Sequence, residues 1–178
     1  MGELISGRVI RQAMQADAPH AAALINSAYR GEVSRQGWTT EVDLLQGKRT
    51  DEAELLALLE EPDGALLVCV ENDLLLATVH LQHRHGTAWL GMLAVKPDVQ
   101  GQGIGRNLMR YAENYARMQW RCTRIRMSVV TLRTELIAYY ERRGYRRTGE
   151  LEVFPVNAGL WTPKVEGLQL EILEKRLV

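Results

Sequence analysis

Leu93-Ala94-Val95-Lys96-Pro97-Asp98-Val99-Gln100-Gly101-Gln102-Gly103-Ile104-Gly105-Arg106 is the stretch on which the reading of the fold turns. An apolar strand ends at Val95, Pro97 stops it, glycines crowd a turn, and a helix begins. The periodicity predicts a helix over Gly103–Gln119, with Ile104, Leu108, Tyr111, Tyr115 and Met118 on one side. The first N–H groups of such a helix have no intrahelical partner and carry partial positive charge. Glycines let a phosphate approach them with no Cβ in the way. The stretch therefore points to a phosphate or pyrophosphate ligand.

Spacing narrows which anion. A Walker loop needs Gly-x-x-x-x-Gly-Lys-Ser/Thr, and none is present. A dinucleotide loop needs Gly-x-Gly-x-x-Gly early in a βαβ unit. Here the glycines alternate as Gly101, Gly103 and Gly105, after three strands of antiparallel type. The plainer alternative is a turn that merely starts a helix. Three glycines are wasteful for that, because each loses backbone entropy on folding.

Upstream of the loop, Leu66–Val70 and Leu74–Gln82 form a hairpin turned at Asn72-Asp73, and His85-Gly86 turns the chain again into strand Thr87–Val95. Further upstream, Arg8–Met14 reads as a first strand. Asp17 caps a helix through Arg30 whose apolar stripe is Ala21, Leu24, Ile25 and Ala28, with Pro19 in its first turn. Gly31–Lys48 is an exposed loop carrying Trp38, and Thr50 or Asp51 caps a second helix through Leu59. Pro62-Asp63-Gly64 is a turn. Downstream, Arg124–Val130 alternates through Ile125, Met127 and Val129 as a strand, and Arg133–Arg143 is a helix ended by Gly144. Tyr145–Val153 and Gly167–Leu177 are strands, with Phe154–Pro163 irregular between them. No linker or repeat interrupts this order, so one α+β domain over 1–178 is expected.

Composition fits a globular domain: 178 residues, 46% hydrophobic and 25% charged, with 22 basic and 22 acidic residues. The balanced charge gives no general affinity for nucleic acid or membrane surfaces, and neither is expected as a partner. The distribution is uneven, since Gly101–Glu150 holds 11 Arg and 4 Glu. A basic half beside a glycine loop suits a multiply anionic small ligand, and a solvated Arg-rich helix face explains it equally well. Cys69 and Cys122 sit in apolar, strand-like context with no disulfide or metal spacing, which fits a reducing cytosol. No apolar run approaches the ~20 residues of a membrane span, so a cytoplasmic location is expected. Met1-Gly2-Glu3-Leu4-Ile5-Ser6 formally matches a permissive myristoylation pattern, and no secretory signal follows Met1.

At the loop the chain resembles a family. Gln100-x-x-Gly103-x-Gly105 is similar to the acyl-CoA signature of the GNAT superfamily of N-acetyltransferases. Tyr139-Tyr140-Glu141-Arg142-Arg143-Gly144-Tyr145 resembles that family's later helix ending, Tyr-x-x-x-Gly-Phe/Tyr. The order of elements agrees over roughly residues 8–150. The resemblance implies a mixed α/β (α+β) fold: a central, mostly antiparallel twisted sheet flanked by helices, with strands 4 and 5 splayed apart. It implies acetyl-CoA as acyl donor and no metal. Leu93, Ala94 and Val95 would meet the coenzyme, Leu93 and Val95 pairing with pantetheine through their backbone as an added strand does. Gln100, Gly101, Gly103, Ile104, Gly105 and Arg106 would hold the pyrophosphate. An oxyanion donor lies in the strand backbone near Leu93, and Tyr140, four residues before Gly144, is the acid for the leaving thiolate. The plainer reading of Tyr140 is an aromatic packed on the sheet; Tyr139 and Tyr145 read as core or rim.

Two positions depart from the family pattern. Many relatives carry Asn seven residues before the tyrosine, touching pantetheine; here it is Arg133, and either it contacts the coenzyme differently or the contact is lost. Relatives often carry a glutamate base on the central strand, yet Thr87–Val95 has no carboxylate. Glu32, Glu41 and His80 are the candidate bases, with solvent as the alternative. His83 and His85 share a strand face that His80 does not, so hairpin-end histidines explain them better than a metal site. Tyr29, Glu32, Trp38 and Glu41 are the candidate acceptor-binding residues, Trp38 serving either as a cation–π surface or as loop packing. Phe154-Pro155 and Trp161-Thr162-Pro163 are the candidate opposite wall. The implied reaction is transfer of acetyl to a primary amine, of a small molecule or a peptide, by direct attack in a ternary complex. The alternative is a GNAT-like module that binds acyl-CoA without turnover. A homodimer is allowed and not required.

Overall fold

The computed structural model describes residues 3–5, 7–157 and 159–178. Met1, Gly2 and Ser6 of the myristoylation pattern lie outside the described residues. Arg8–Gln12 (β2), Gly64–Glu71 (β4), Leu74–Arg84 (β5), Thr87–Val95 (β6), Arg124–Val130 (β7), Arg146–Val153 (β8) and Gln169–Arg176 (β10) join Glu3–Ile5 (β1) in an eight-stranded sheet of order β1-β2-β4-β5-β6-β7-β10-β8. Every neighbouring pair is antiparallel except β6 and β7, which run parallel. The mixed, mostly antiparallel sheet expected from the sequence is the sheet observed.

Helices cover both faces. Ala18–Tyr29 (α1) and Glu52–Glu60 (α2) pack on one, against Leu66 and Ala94. Ile104–Trp120 (α3) and Thr134–Glu141 (α4) pack on the other, against Leu67, Val79, Leu81 and Ile125. Along β4 the alternation Ala65, Leu67, Cys69 against Leu66 feeds the two layers in turn, as the period of two requires. Both cysteines are buried and free. Among the described residues no helix is long and apolar enough to cross a membrane.

The turns are where local chemistry decides. Asn72 and Asp73 both take positive φ (49° and 63°), as do His85 and Gly86 (49° and 76°), the pattern of tight hairpin turns. Asp51 caps α2, accepting from the Glu54 N–H at 2.8 Å. Asp17 does not cap α1 as expected. Arg11 forks onto its carboxylate at 2.6 and 3.0 Å, and the remaining bond comes from the Met14 N–H. The strand starting at Arg8 accordingly stops at Gln12, before a 3-10 turn over Gln15–Asp17.

Two loops hold a pairing that their sequences do not announce. Leu45–Gly47 (β3), inside the loop expected over Gly31–Lys48, pairs antiparallel with Trp161–Pro163 (β9), inside the segment expected to be irregular. The ribbon packs Leu45 beside Phe154 and Trp161. Gly47 makes it possible: its φ is +94°, and a Cβ there would stand 2.1 Å from the Leu160 carbonyl oxygen. Gly47→Ala is expected to destabilise the protein by about 2 kcal/mol and to loosen this ribbon. Thermal unfolding checks it; an unchanged midpoint would mean that the ribbon is dispensable.

Candidate active site

The parallel pair β6–β7 is joined only over Thr87–Trp89 and Arg124–Arg126; beyond them the strands splay. A bulge lies at the start of the split. Thr78 pairs with Ala94 and His80 with Gly91, so two steps on β5 face three on β6. Met92 absorbs the extra residue at φ +49°. Two hydroxyls fix the bulge: Thr78 donates to the Met92 carbonyl at 3.1 Å, and Tyr29 donates to the Leu93 carbonyl at 2.5 Å. Lys96 N–H bonds back to β5, at Leu76. The odd positions Leu93 and Val95 therefore turn their backbone groups the other way, into the split.

Below the split the chain turns through Pro97–Val99 into the glycine loop and α3. Gly103 is the N-cap of α3, at φ +78°, with no side-chain cap on the helix. At Gly105 space is tight instead, since a Cβ would stand 3.1 Å from Val95 Cγ2. The loop, Leu93, Val95, Ile104, Arg106, Trp38, Tyr139, Tyr140 and Arg143 enclose a cleft of about 480 Å³. The first turn of a 17-residue helix opens into it beside Arg106, which has no ion pair among the described residues. Such a cradle fits a pyrophosphate, and the exposed edge of β6 fits an extended amide chain.

The resemblance implies Gln100 at the coenzyme and leaves Arg133 open; Gln100 lines the cleft, and both side chains already hold protein partners. The Gln100 amide donates to the Val95 carbonyl at 3.0 Å and the Thr39 hydroxyl at 3.2 Å, and accepts from Trp38 N–H at 3.0 Å. Arg133 is 5% exposed and does not line the cleft. Its guanidinium donates to the carbonyls of Trp38 and Thr39, both at 3.1 Å, and to Glu135 at 2.7 Å. These two residues brace the Trp38–Thr39 segment, which closes the cleft by laying Trp38 against Tyr139, ring centres 5.0 Å apart. Trp38 thus stands on the glycine-loop side of the split.

Tyr140 sits on the buried stripe of α4 with Leu136 and Ile137. It lines this cleft and also a second cavity of about 340 Å³ on the far side of the split. Tyr29, Leu93 and Leu136 are shared in the same way, so the two spaces meet at the bulge. The Tyr140 hydroxyl makes no hydrogen bond among the described residues. Burial, with the Tyr29 phenol next, holds its pKa well above the ordinary tyrosine value, so at neutral pH it keeps its proton. Burial pushes Tyr29 up to about 12, and its proton is directed at Leu93.

Of the candidate bases, Glu32 is exposed and paired with Arg35 at 3.1 Å, away from both spaces. Glu41 lines the second cavity, ion-paired with the buried Arg30 at 2.5 Å. His80 lines neither space; its Nε2 is shielded with no hydrogen-bond partner among the described residues. Burial, then the charges of Arg84 and Arg49, lower its pKa to about 4. His83 stacks on Trp120 and accepts from Gly86 N–H at 3.2 Å, closing the hairpin.

The His80 environment predicts an acid-labile step. The folded state binds the His80 proton less readily than the unfolded chain, so this contribution is full above the ordinary value of 6.5 and is lost as pH falls towards 4. A loss on the order of 3 kcal/mol is expected across that window. Urea unfolding between pH 7 and 4 checks it, with His80→Leu flattening the curve; an unaltered slope in the variant would show that His80 does not titrate with folding.

Sequence reasoning set aside two residues that belong to the cleft. Tyr139 lines it, and Arg143 lies over the Tyr139 ring with its carbon 3.4 Å from the centre, donating to the Tyr139 carbonyl at 2.8 Å. The signal was present as an Arg four residues after a Tyr on a helix, one turn apart, but that spacing also describes an ordinary surface pair.

Comparison with known proteins gives concordant results. Residues 27–145 match the model of the acetyltransferase (GNAT) family. A probable spermine N(1)-acetyltransferase of Bacillus subtilis subsp. natto is 26% identical over 70 residues, 39% of this chain and 46% of that protein, so the match spans less than half of that relative. A probable acetyltransferase from Staphylococcus epidermidis superposes with a TM-score of 0.72 at 15% identity, covering 96% of this chain and 99% of that one. The ribosomal-protein-S18-alanine N-acetyltransferase of Escherichia coli superposes at 0.70 with 17% identity, covering 96% and 94%. At these identities the superpositions speak for the fold alone.

Proposed function

The chain belongs to the GNAT acetyltransferase family, and from that premise we propose that it transfers an acetyl group from acetyl-CoA to a primary amine within a single domain. The observation that carries the reading is the Tyr140 phenol. It is protonated and unbonded among the described residues, and it stands where the glycine-loop cleft and the second cavity meet.

In this reading the pyrophosphate lies on the N–H groups of Gly101–Arg106, with Arg106 adding charge. Leu93 and Val95 hold the pantetheine arm along the edge of β6 chiefly through their N–H groups, since Tyr29 and Gln100 already donate to their carbonyls, and this brings the thioester carbonyl to the bulge. The amine enters from the second cavity as the free base. Its nitrogen forms the C–N bond, and the developing oxyanion is stabilised by the backbone N–H groups at the bulge. Collapse breaks the C–S bond, and Tyr140 gives its proton to the departing thiolate. The ammonium proton leaves to solvent, since Glu32 and Glu41 are ion-paired and His80 is shielded. A soluble, cytosolic enzyme suits the buried free cysteines.

Thiol release from acetyl-CoA across a panel of amines tests the proposal. Turnover with at least one amine class is expected. Tight coenzyme binding without release for any amine would establish the other reading, an acyl-CoA-binding module, which the lack of an uncommitted carboxylate base favours.

A further inference from the structure

The second cavity has a charge pattern that selects among amines. Four charged side chains line it: Arg30, Arg49, Glu41 and Glu54. Glu41 is taken by Arg30 at 2.5 Å, and Glu54 accepts the Thr50 hydroxyl at 2.6 Å within the α2 cap. Arg49 has no side-chain hydrogen bond and no ion pair among the described residues; its guanidinium carbon lies 5.6 Å from the centre of the Trp161 ring. A cation–π contact at this distance leaves the guanidinium N–H groups for an acceptor. Arg30 is a buried cation behind this wall, neutralising Glu41. It is 6% exposed, and its Nε–H is buried without an acceptor. Of the four charged side chains, Arg49 is the one with neither a hydrogen bond nor an ion pair among the described residues.

A polycation needs several uncommitted carboxylates, and Glu54 is at most one. A carboxylate needs an uncommitted guanidinium, and Arg49 beside the Trp161 ring is that among the described residues. We propose that the acceptor is an amine that also carries a carboxylate, an amino acid or similarly small aminocarboxylate, held by Arg49 so that its amine faces Leu93 and Tyr140. The inference rests on the acetyl-transfer reading above and adds the acceptor class. The backbone at Arg49 is held in place, since its N–H bonds to Asn26 Oδ1 at 2.7 Å. The aromatic backing arrives with the β3–β9 ribbon, which brings Trp161 across from Gly47.

The test pairs each amino acid with its carboxamide and adds spermine and spermidine, with kcat/KM read from thiol release. The carboxylates are expected to exceed their amides by about tenfold or more, the discrimination of one charge-assisted contact. Arg49→Gln is expected to erase that difference through KM, with acetyl-CoA affinity kept; Arg49→Lys is expected to restore part of it. Amides or polyamines used as well as carboxylates, with the ranking unchanged in Arg49→Gln, would overturn the proposal. Calorimetry of N-acetyl amino acids on the protein loaded with coenzyme A needs no turnover. Binding that disappears in Arg49→Gln supports the carboxylate site even if no amine is acetylated; absent or unaltered binding overturns it even if acetyl transfer is real.

Discussion

Tyr140→Phe is expected to lower kcat by about 10²-fold or more while leaving the dissociation constant of acetyl-CoA within about twofold. The hydroxyl has no partner among the described residues, so its removal breaks no bond in the resting protein, and the ring still fills its place beside Leu136 and Ile137. What is lost is a proton donor at the sulfur when the C–S bond breaks. Because burial holds the phenol well above its ordinary pKa, the wild-type alkaline limb of kcat from this group lies above pH 10. Single-turnover acetyl transfer, coenzyme titration and a pH–rate profile together decide the point. A large loss of coenzyme affinity with normal turnover would assign Tyr140 to packing the cleft.

Arg133→Ala is expected to destabilise the fold by about 3 kcal/mol and to raise the KM for acetyl-CoA about tenfold, with kcat at saturation changed by no more than a few-fold. Three hydrogen bonds disappear at once: those to the Trp38 and Thr39 carbonyls and that to Glu135. The Trp38 wall then loses its brace, and the cleft must be ordered at the expense of coenzyme binding. Arg133→Lys is expected to rescue little, because an ammonium cannot span two carbonyls and a carboxylate as the planar fork does. Thermal unfolding separates this role from direct contact with the coenzyme. A variant with weakened binding and an unchanged melting midpoint would place Arg133 on the ligand.

The two outcomes at Gln100 and Arg133 show where sequence reading stops. A motif carries the conformation of its backbone, and the loop glycines follow from the positive φ of Gly103 and the close approach of Val95 to Gly105. A long polar side chain carries no such restriction. Gln100 and Arg133 reach into a segment more than 60 residues away, and their partners at Thr39 and Trp38 bear no local mark of it. The same holds for the β3–β9 ribbon: three-residue strands are too short for period two to register, and the partner is over 100 residues distant. Local pattern carries the first strand on to Met14 and makes Asp17 a cap, whereas the folded chain ends the strand at Gln12 and gives that carboxylate to the Arg11 fork.

The strands, the main helices and the hairpin turns were legible in the chain itself, because periodicity and positive-φ residues act over a few neighbours. So were the glycine loop and the tyrosine before Gly144, the two motifs that identify the family. The cavity beyond the split, the brace behind Trp38 and the free guanidinium on Trp161 came only with the folded chain. Each depends on which side chains are left unpaired after distant segments meet, and pairing across the fold is a property of geometry that no local pattern records.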